Sequence, residues 1–409
     1  MDLFLSCLCP KPTIDPSHQL GEADESHLTA ALEAIVERSS SNFDAGDGLY
    51  TPLHVLQTTS WFNKLIPGLE KLLNDIHAGN FVVVRDTGEQ IFEYMPIYAR
   101  VGMHLLFYGY GRSKLLSTPA IEKLLRDQSF KQGRIYDSAT SAKSIPSFVQ
   151  TYSLATNELL QPDITKYKSF NEFFSRKLKP GARPVADAAN PLGICSAADC
   201  RLTVYASIDQ STHFWIKGYK FTVPNLLNVA PDSPQAAAFA GASLAIFRLA
   251  PADYHRFHSP VDCTVGEIND FPGQYYTVNP EVVNEPGFDV FTANRRAVLY
   301  LTHTPTRSAV AVVAVGALLV GSIGWTGGAQ KGAQLRRGDE LGFFAYGGST
   351  VIVLFFPGVG VQYVPYSHYA RDIRLTGLPR FDDDLVKNSD KPIETLVKVG
   401  YSIGKSVPK

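Results

Sequence analysis

From about residue 190 onward the apolar residues of this chain fall in short, valine-rich runs broken by glycine and proline. The runs "DCRLTVYASI", "FWIKGYKFTV", "CTVGEINDF", "AVLYLTHT", "AVVAVGALLV", "LGFFAYGG" and "STVIVLFF" are strand-sized and rich in β-branched and aromatic residues. A chain of this texture has to build a β-rich domain. Its hardest case is Ser308–Trp325, "SAVAVVAVGALLVGSIGW", which imitates a membrane span. The apolar core is shorter than a full span, is interrupted by Gly316 and Gly321, and is rich in valine, so buried strands explain it better than a helix in lipid.

The first 180 residues follow a different period. "HLTAALEAIVERSS" sets Leu28, Ala31, Leu32, Ile35 and Val36 at helical spacing, and "SWFNKLIPGLEKLLNDIHAGN" continues it to a Gly79-Asn80 C-cap. "QIFEYMPIYARVGMHLLFYG" and "TPAIEKLLRDQSFKQG" read as further helices. In "SFNEFFSRKLKPG", Ser169 caps a helix, Glu172 closes a capping box and Pro180-Gly181 ends it. The fold class is therefore α+β, helical first and β-rich after. Gly338–Gly342 (GDELG) and Gly400–Gly404 (GYSIG) share the form G-x-x-[LI]-G beside apolar runs, which predicts the same tight turn twice. Residues Pro357 to Asp390 read as a long irregular loop.

Composition narrows the function. A net charge of −1, from 38 basic and 39 acidic residues, lacks the basic excess of a nucleic-acid binder. Five scattered cysteines give no disulfide framework and point to a reducing compartment. "MDLFLSCLCPKP" lacks the basic start and long apolar core of a signal peptide; it reads as a frayed tail, with acylation of Cys7 or Cys9 the minor alternative. The expectation is a soluble, cytoplasmic protein.

Four polar residues border strands in the β-rich half: Asp199, His255, His258 and Ser349. Taken singly, each has a bland reading. Gly-Gly-Ser-Thr is ordinarily a turn or bulge, and a His pair at i, i+3 is ordinarily structural. The His pair with Asp253 could also ligate a metal, but no further His or Cys stands at recognisable spacing. Together, Asp, His and Ser are the parts of an orienting group, a base and a nucleophile, which leaves a serine hydrolase open. Ser349, however, lacks a G-x-S-x-G elbow and is followed by strand-like sequence. The glycines before it suggest that its hydroxyl attacks the Gly348 carbonyl, so that the chain acts on its own backbone.

The segments "YKSFNEFFSRKLKPGARPV", "FRLAPADYHRFHSPVDCTVGEI", "VGALLVGSIGW" and "RRGDELGFFAYGGSTVIVLF" together resemble the phosphatidylserine decarboxylase family, whose members carry a pyruvoyl group made from their own serine. The resemblance runs from about residue 165 to the C-terminus. It implies a flexible tail (1–25), a helical N-terminal domain (26–164) and a phosphatidylserine-decarboxylase-like catalytic domain (165–409) self-cleaved between 348 and 349. It implies that Ser349 is the serine, Asp199 and His258 its triad partners, and His255 the histidine that handles substrate; Lys217 lies in a further shared segment. Cleavage would pass through an ester and a dehydroalanine, which hydrolyses to pyruvoyl and ammonia, leaving two associated chains with no external cofactor or metal. Two motifs depart from the family: its S-P-x-D-G reads Ser196-Ala197-Ala198-Asp199-Cys200, and its N-E-R reads Asn294-Arg295-Arg296.

Those departures bear on substrate. The N-terminal helices show no basic amphipathic face for a lipid surface, and Lys177, Lys179 and Arg183 read as a solvated cluster. Tyr254, Tyr275 and Tyr276 could line a pocket for an aromatic amino acid or could be core. The sequence reading favours a free L-amino acid, aromatic ones such as tryptophan included, with phosphatidylserine as the alternative and a non-cleaving binding module as the third. A homo-oligomer is compatible with all three.

Overall fold

The computed structural model describes residues 79–94, 119–207, 221–276, 278, 283, 289–317, 322–345, 349–355, 380–391 and 393–406. The expected tail, the first helices, Lys217, Gly348 and residues 357–379 of the expected loop lie outside them. The chain divides into two compact units; the one described below comprises 43–46, 79–94 and 125–409.

Its frame is a ten-stranded sheet. In spatial order the strands are β11 (Gln334–Leu335), β7 (Cys263–Phe271), β8 (Arg296–His303), β9 (Ala309–Val315), β13 (Ser349–Phe355), β5 (Ser243–Leu249), β4 (Cys200–Tyr205), β15 (Glu394–Val397), β1 (Gly79–Val84) and β2 (Gln90–Tyr94). Two three-stranded sheets accompany it. One joins β10 (Ile323–Trp325), β12 (Glu340–Phe344) and β6 (Arg256–His258); the other joins β14 (Arg380–Phe381), β16 (Ser402–Lys405) and β3 (Gly193–Cys195). Short helices connect these strands: α2 (Ile145–Thr151), α3 (Phe170–Phe174), α4 (Val223–Leu227), α5 (Pro234–Ala238), α6 (Val290–Ala293) and α7 (Asp383–Ser389). The longer α1 (Pro119–Asp137) precedes them.

Strand β13 explains the unbroken apolar texture of the sequence. It lies between β5 and β9, and all seven of its residues are buried. A strand covered on both faces needs no polar alternation. Val351, Val353 and Phe355 share one core with Phe247 and Val312 of the large sheet and with Phe257, Phe344, Ile194 and Ile403 of the small ones. Each such side chain contributes about 1.5–3 kcal/mol of burial. The segment that imitates a membrane span is β9 and β10. Among the described residues no helix is long and apolar enough to cross a membrane.

Local expectations fare unevenly. Ser169 caps α3, accepting from the Glu172 N–H at 3.2 Å, while Glu172 Oε2 accepts from the Lys168 N–H, one residue before the cap. The helix stops at Phe174, well short of Pro180, with both the N–H and the hydroxyl of Ser175 on the Asn171 carbonyl. Gln90–Tyr94, expected to open a helix, is strand β2. Its Phe92 packs edge-on against Phe81 of β1 with ring centroids 5.0 Å apart, so tertiary pairing overrides the helical pattern. "FWIKGYKFTV" ends in helix: Thr222 caps α4, which begins at Val223. The end of the expected loop is ordered as β14 and α7, with Asp382 at the N-cap and Asp383 and Asp384 in the first turn, where a helix favours negative charge.

The twin G-x-x-[LI]-G turns are one visible corner of an internal duplication. Residues 193–200 match 256–263, and 399–405 match 337–343, bond for bond. Ser196 N–H donates to Tyr401 O as Ser259 N–H does to Asp339 O, both at 2.8 Å; Gly400 N–H donates to Ser196 O as Gly338 N–H does to Ser259 O. Cys195 N–H donates to Pro260 O, and reciprocally His258 N–H to Ala197 O. Val399 N–H meets Asp199 Oδ1 as Arg337 N–H meets Asp262 Oδ1, again both at 2.8 Å. Gly338 and Gly400 sit at φ +88° and +85°, a backbone that glycine adopts without strain.

Candidate active site

The site is assembled around the connection between β5 and β6. Ser349 opens β13 and pairs with Leu249, the last residue of β5. Its hydroxyl is fully buried and has no hydrogen-bond partner among the described residues. A buried orphan hydroxyl costs about 1–3 kcal/mol, a cost more often met at functional positions than in ordinary core.

From Leu249 the chain turns at 250–253, where Asp253 Oδ2 accepts from the Ala250 N–H at 2.7 Å. The same carboxylate pairs with Arg201, which also grips Glu93, while Arg248 pairs with Glu394. Burial pushes the Asp253 carboxyl up, and the Arg201 guanidinium opposes that shift. The turn is thus anchored to the large sheet by ion pairs, not by apolar packing.

His255 and His258 follow. His255 is fully buried, its Nδ1 lies 2.9 Å from the Asp253 carbonyl, and its ring rests on Phe174 at 3.9 Å. A carbonyl only accepts, so Nδ1 carries a proton. In His258, Nδ1 lies 2.8 Å from the Gly338 carbonyl and Nε2 3.3 Å from the Tyr254 hydroxyl. By the same logic Nδ1–H donates to Gly338 and Nε2 is the basic nitrogen. Burial lowers the His258 pKa below the ordinary 6.5, with the Gly338 carbonyl opposing. The ring is therefore neutral, and competent as a base, at pH 7.

The segment after α3 is tied to the chain on either side of His255. Arg176 donates to the carbonyls of Ala252 and Asp253, and Arg256 donates to the Ser175 carbonyl and pairs with Glu340. Arg183 binds Asp199 through Nε and Nη2, at 3.0 and 2.7 Å, and Glu158 through Nη1 at 2.8 Å.

Ser349 thus pairs with the end of the strand from which the chain runs on to His255 and His258. Asp199 stands nearby, but it spends its carboxylate on Arg183 and the Val399 N–H, not on His258. Tyr254 faces His258. Tyr275 packs on Phe130 at 5.9 Å, and the main chain of Tyr276 is clamped on both sides by Asn294. Sequence reasoning missed Arg183, taking it for a solvated residue like the exposed Lys177 and Lys179; its position sixteen residues before Asp199 carried no signal. It missed Arg176 and Arg256 for the same reason. Among the described residues no group of His, Cys, Asp and Glu is arranged to hold a metal.

The resemblance extends beyond motifs. The family model for phosphatidylserine decarboxylase matches residues 170–368, a span that contains Ser349, both histidines and Asp199. A phosphatidylserine decarboxylase proenzyme of Chlamydia caviae is 35% identical over 327 residues, covering 79% of this chain and 97% of its own length. Phosphatidylserine decarboxylase proenzyme 3 of Schizosaccharomyces pombe is 42% identical over 346 residues, 85% of this chain. Proenzyme 2 of rice is 42% identical over 287 residues, 70% of this chain. The chain belongs to the phosphatidylserine decarboxylase family. It spans about a third of the length of the fission-yeast relative and 42% of the rice one.

Proposed function

We propose that this chain is a pyruvoyl-dependent phosphatidylserine decarboxylase that makes its prosthetic group from Ser349, with residues 165–409 as the decarboxylase domain and 26–164 preceding it. The observation that carries the reading is Ser349 itself: a buried hydroxyl with no partner among the described residues, at the head of a central strand, directly after two glycines and paired with Leu249, from which the chain runs on to the two histidines. Such a hydroxyl is poised for a reaction, and the Gly348 carbonyl is its chain neighbour. Adjacency supplies an effective molarity on the order of 10⁵ M or more.

His258 is assigned as the base, since Nε2 carries its lone pair and burial keeps the ring neutral. Asp199 holds the Val399 turn beside it. The new chain end stays in place because β13 is laddered to β5 and β9, both upstream of the cut. The pyruvoyl group then supplies the electron sink that lets a carboxylate beside an amine leave as carbon dioxide. His255, with its Nδ1 proton on the Asp253 carbonyl and its ring seated on Phe174, is assigned to the substrate carboxylate and the return of a proton.

For substrate, relatives matching as much as 85% of the chain are named for phosphatidylserine, which favours the phospholipid over the free amino acid. Intact mass of the purified chain tests the first step: two chains are expected, ending at Gly348 and beginning with a blocked residue 349. A single uncut chain overturns the proposal, and labelling of an intact Ser349 by a fluorophosphonate would replace it with a hydrolase. Carbon dioxide release from phosphatidylserine vesicles, beside a panel of free amino acids including tryptophan, tests the second. Release only from a free amino acid reverses the choice of substrate.

A further inference from the structure

His255 is held between two supports. Its ring rests on the Phe174 ring, with centroids 3.9 Å apart, and its Nδ1–H donates to the Asp253 carbonyl at 2.9 Å. One side chain joins those supports. Arg176 donates through Nη1 to the Phe174 carbonyl at 3.3 Å, and through Nη2 to the carbonyls of Asp253 at 2.9 Å and Ala252 at 3.0 Å. The Asp253 oxygen thus takes the guanidinium and the imidazole together, and the two donor nitrogens stand no further apart than twice 2.9 Å.

A buried guanidinium is a costly way to close a turn. Arg176 is 5% exposed, and among the described residues no carboxylate pairs with it. Asp253 and Asp199 attract it from further off, but their carboxylates are bound to Arg201 and Arg183. The Phe173 ring, 5.3 Å away, offers a face but no charge. A cation so placed forfeits hydration that no counter-ion returns. The internal duplication shows what the turn needs without it. Ser406 N–H donates to the Leu192 carbonyl as Phe344 N–H does to that of His255, so Leu192 stands at the matching place. There the carbonyl matching that of Asp253 belongs to Asn190, and it takes the Gly193 N–H at 3.1 Å. The backbone closes with a leucine and with no arginine on that carbonyl. The histidine and its arginine are therefore additions made together in one copy.

We infer that Arg176 is the positioning residue of His255. It fixes the end of α3 that carries Phe174 to the turn that carries Asp253, and so sets where the imidazole stands when it meets substrate. The inference rests on the reading of His255 as the group that handles substrate. It lies outside self-cleavage, which that reading gives to Ser349 and His258.

Arg176→Met keeps the stem and removes the donors and the charge. Decarboxylation of phosphatidylserine vesicles, expressed per cleaved chain, should lose about 100-fold in kcat with KM within about 3-fold of the parent, the scale of a reacting group displaced by about 1 Å. The decisive readout is a double-variant cycle with His255→Gln. If Arg176 works through the ring, Arg176→Met changes kcat by less than about 2-fold once the ring is gone; the same loss in both backgrounds is a general packing defect and overturns the inference. The ring is also observed directly, in the uncut Ser349→Ala chain, through the Nδ1–H resonance of His255, assigned by its disappearance in His255→Gln. In Arg176→Met that proton should exchange with solvent at least about 10-fold faster, as a turn released from its anchor opens more often. An unchanged line overturns the inference as well. Should Arg176→Met not fold, Arg176→Lys enters the same cycle and the same spectrum, since it keeps the charge but replaces a two-pronged fork with a single point of attachment. Full kcat in His255→Gln would instead sink the underlying reading of His255, while the resonance still reports whether Arg176 holds the ring.

Discussion

Removing Arg183 should cost this domain more than any other single change at the site, and the cost can be worked from the pair it makes. Arg183 holds Asp199 through three contacts of 2.7–3.0 Å, and the two side chains are only 12% and 10% exposed. In Arg183→Ala the carboxylate keeps one backbone donor, the Val399 N–H. Orphaning one member of a buried pair costs about 3–5 kcal/mol; slight exposure puts this pair at the low end, about 3 kcal/mol. The second bond, to the more exposed Glu158, adds at most about 1 kcal/mol. At about 2–4 °C per kcal/mol for a domain of this size, a total of about 3–4 kcal/mol should lower melting by about 6–16 °C. The assay is urea and thermal unfolding in a Ser349→Ala background. Asp199→Ala should cost a similar amount, because it strands the guanidinium and the Val399 N–H. The double variant should cost at least about 2 kcal/mol less than the sum, since no charge is then orphaned. Additivity to within about 0.5 kcal/mol would refute the coupling and with it the assignment of Asp199 to Arg183.

Three further outcomes follow from the geometry. Burial holds His258 below 6.5, so the unfolded chain takes up this proton first as pH falls; the associated stability is complete above about 6.5 and is lost below it. Self-cleavage should therefore be flat near neutrality and fall with a midpoint under 6.5, and a midpoint above 7 in a pH-rate series would contradict a neutral buried base. Gly400→Ala should destabilise more than Gly338→Ala, by denaturant titration: both strain a left-handed backbone by about 1–2 kcal/mol, but the new Cβ at 400 meets the Pro184 carbonyl oxygen at 2.5 Å, whereas at 338 it meets the movable Val185 Cγ2. Asp262→Ala breaks the bond that matches Asp199–Val399, so it should lower stability yet leave cleavage intact on denaturing gels; loss of cleavage in the folded variant would deny the separation of structural and chemical roles.

Much of this molecule was legible because burial leaves a simple mark. Strands covered on both faces, such as β9 and β13, print as unbroken β-branched runs, and Ser349 stands out by breaking one. What the sequence hides is pairing across distance. Strand β1 pairs Val82 with Glu394, so its neighbour cannot be read from its own neighbourhood, and β2 passes for a helix. Arg183 resembles the exposed Lys177 beside it until Asp199 is placed, and an aromatic in a motif does not say which way its ring turns. The duplication then separates what looked like one cluster of reactive residues. Asp199 and Asp262 each fasten a backbone N–H ahead of a left-handed glycine, and Asp199 does so in the copy that has Cys195 where the copy of Asp262 has His258. An aspartate at this position is thus a requirement of the turn whether or not a histidine is present. The burden of the reaction falls on what the two copies do not share: His255 and His258, and the serine that β13 delivers to them.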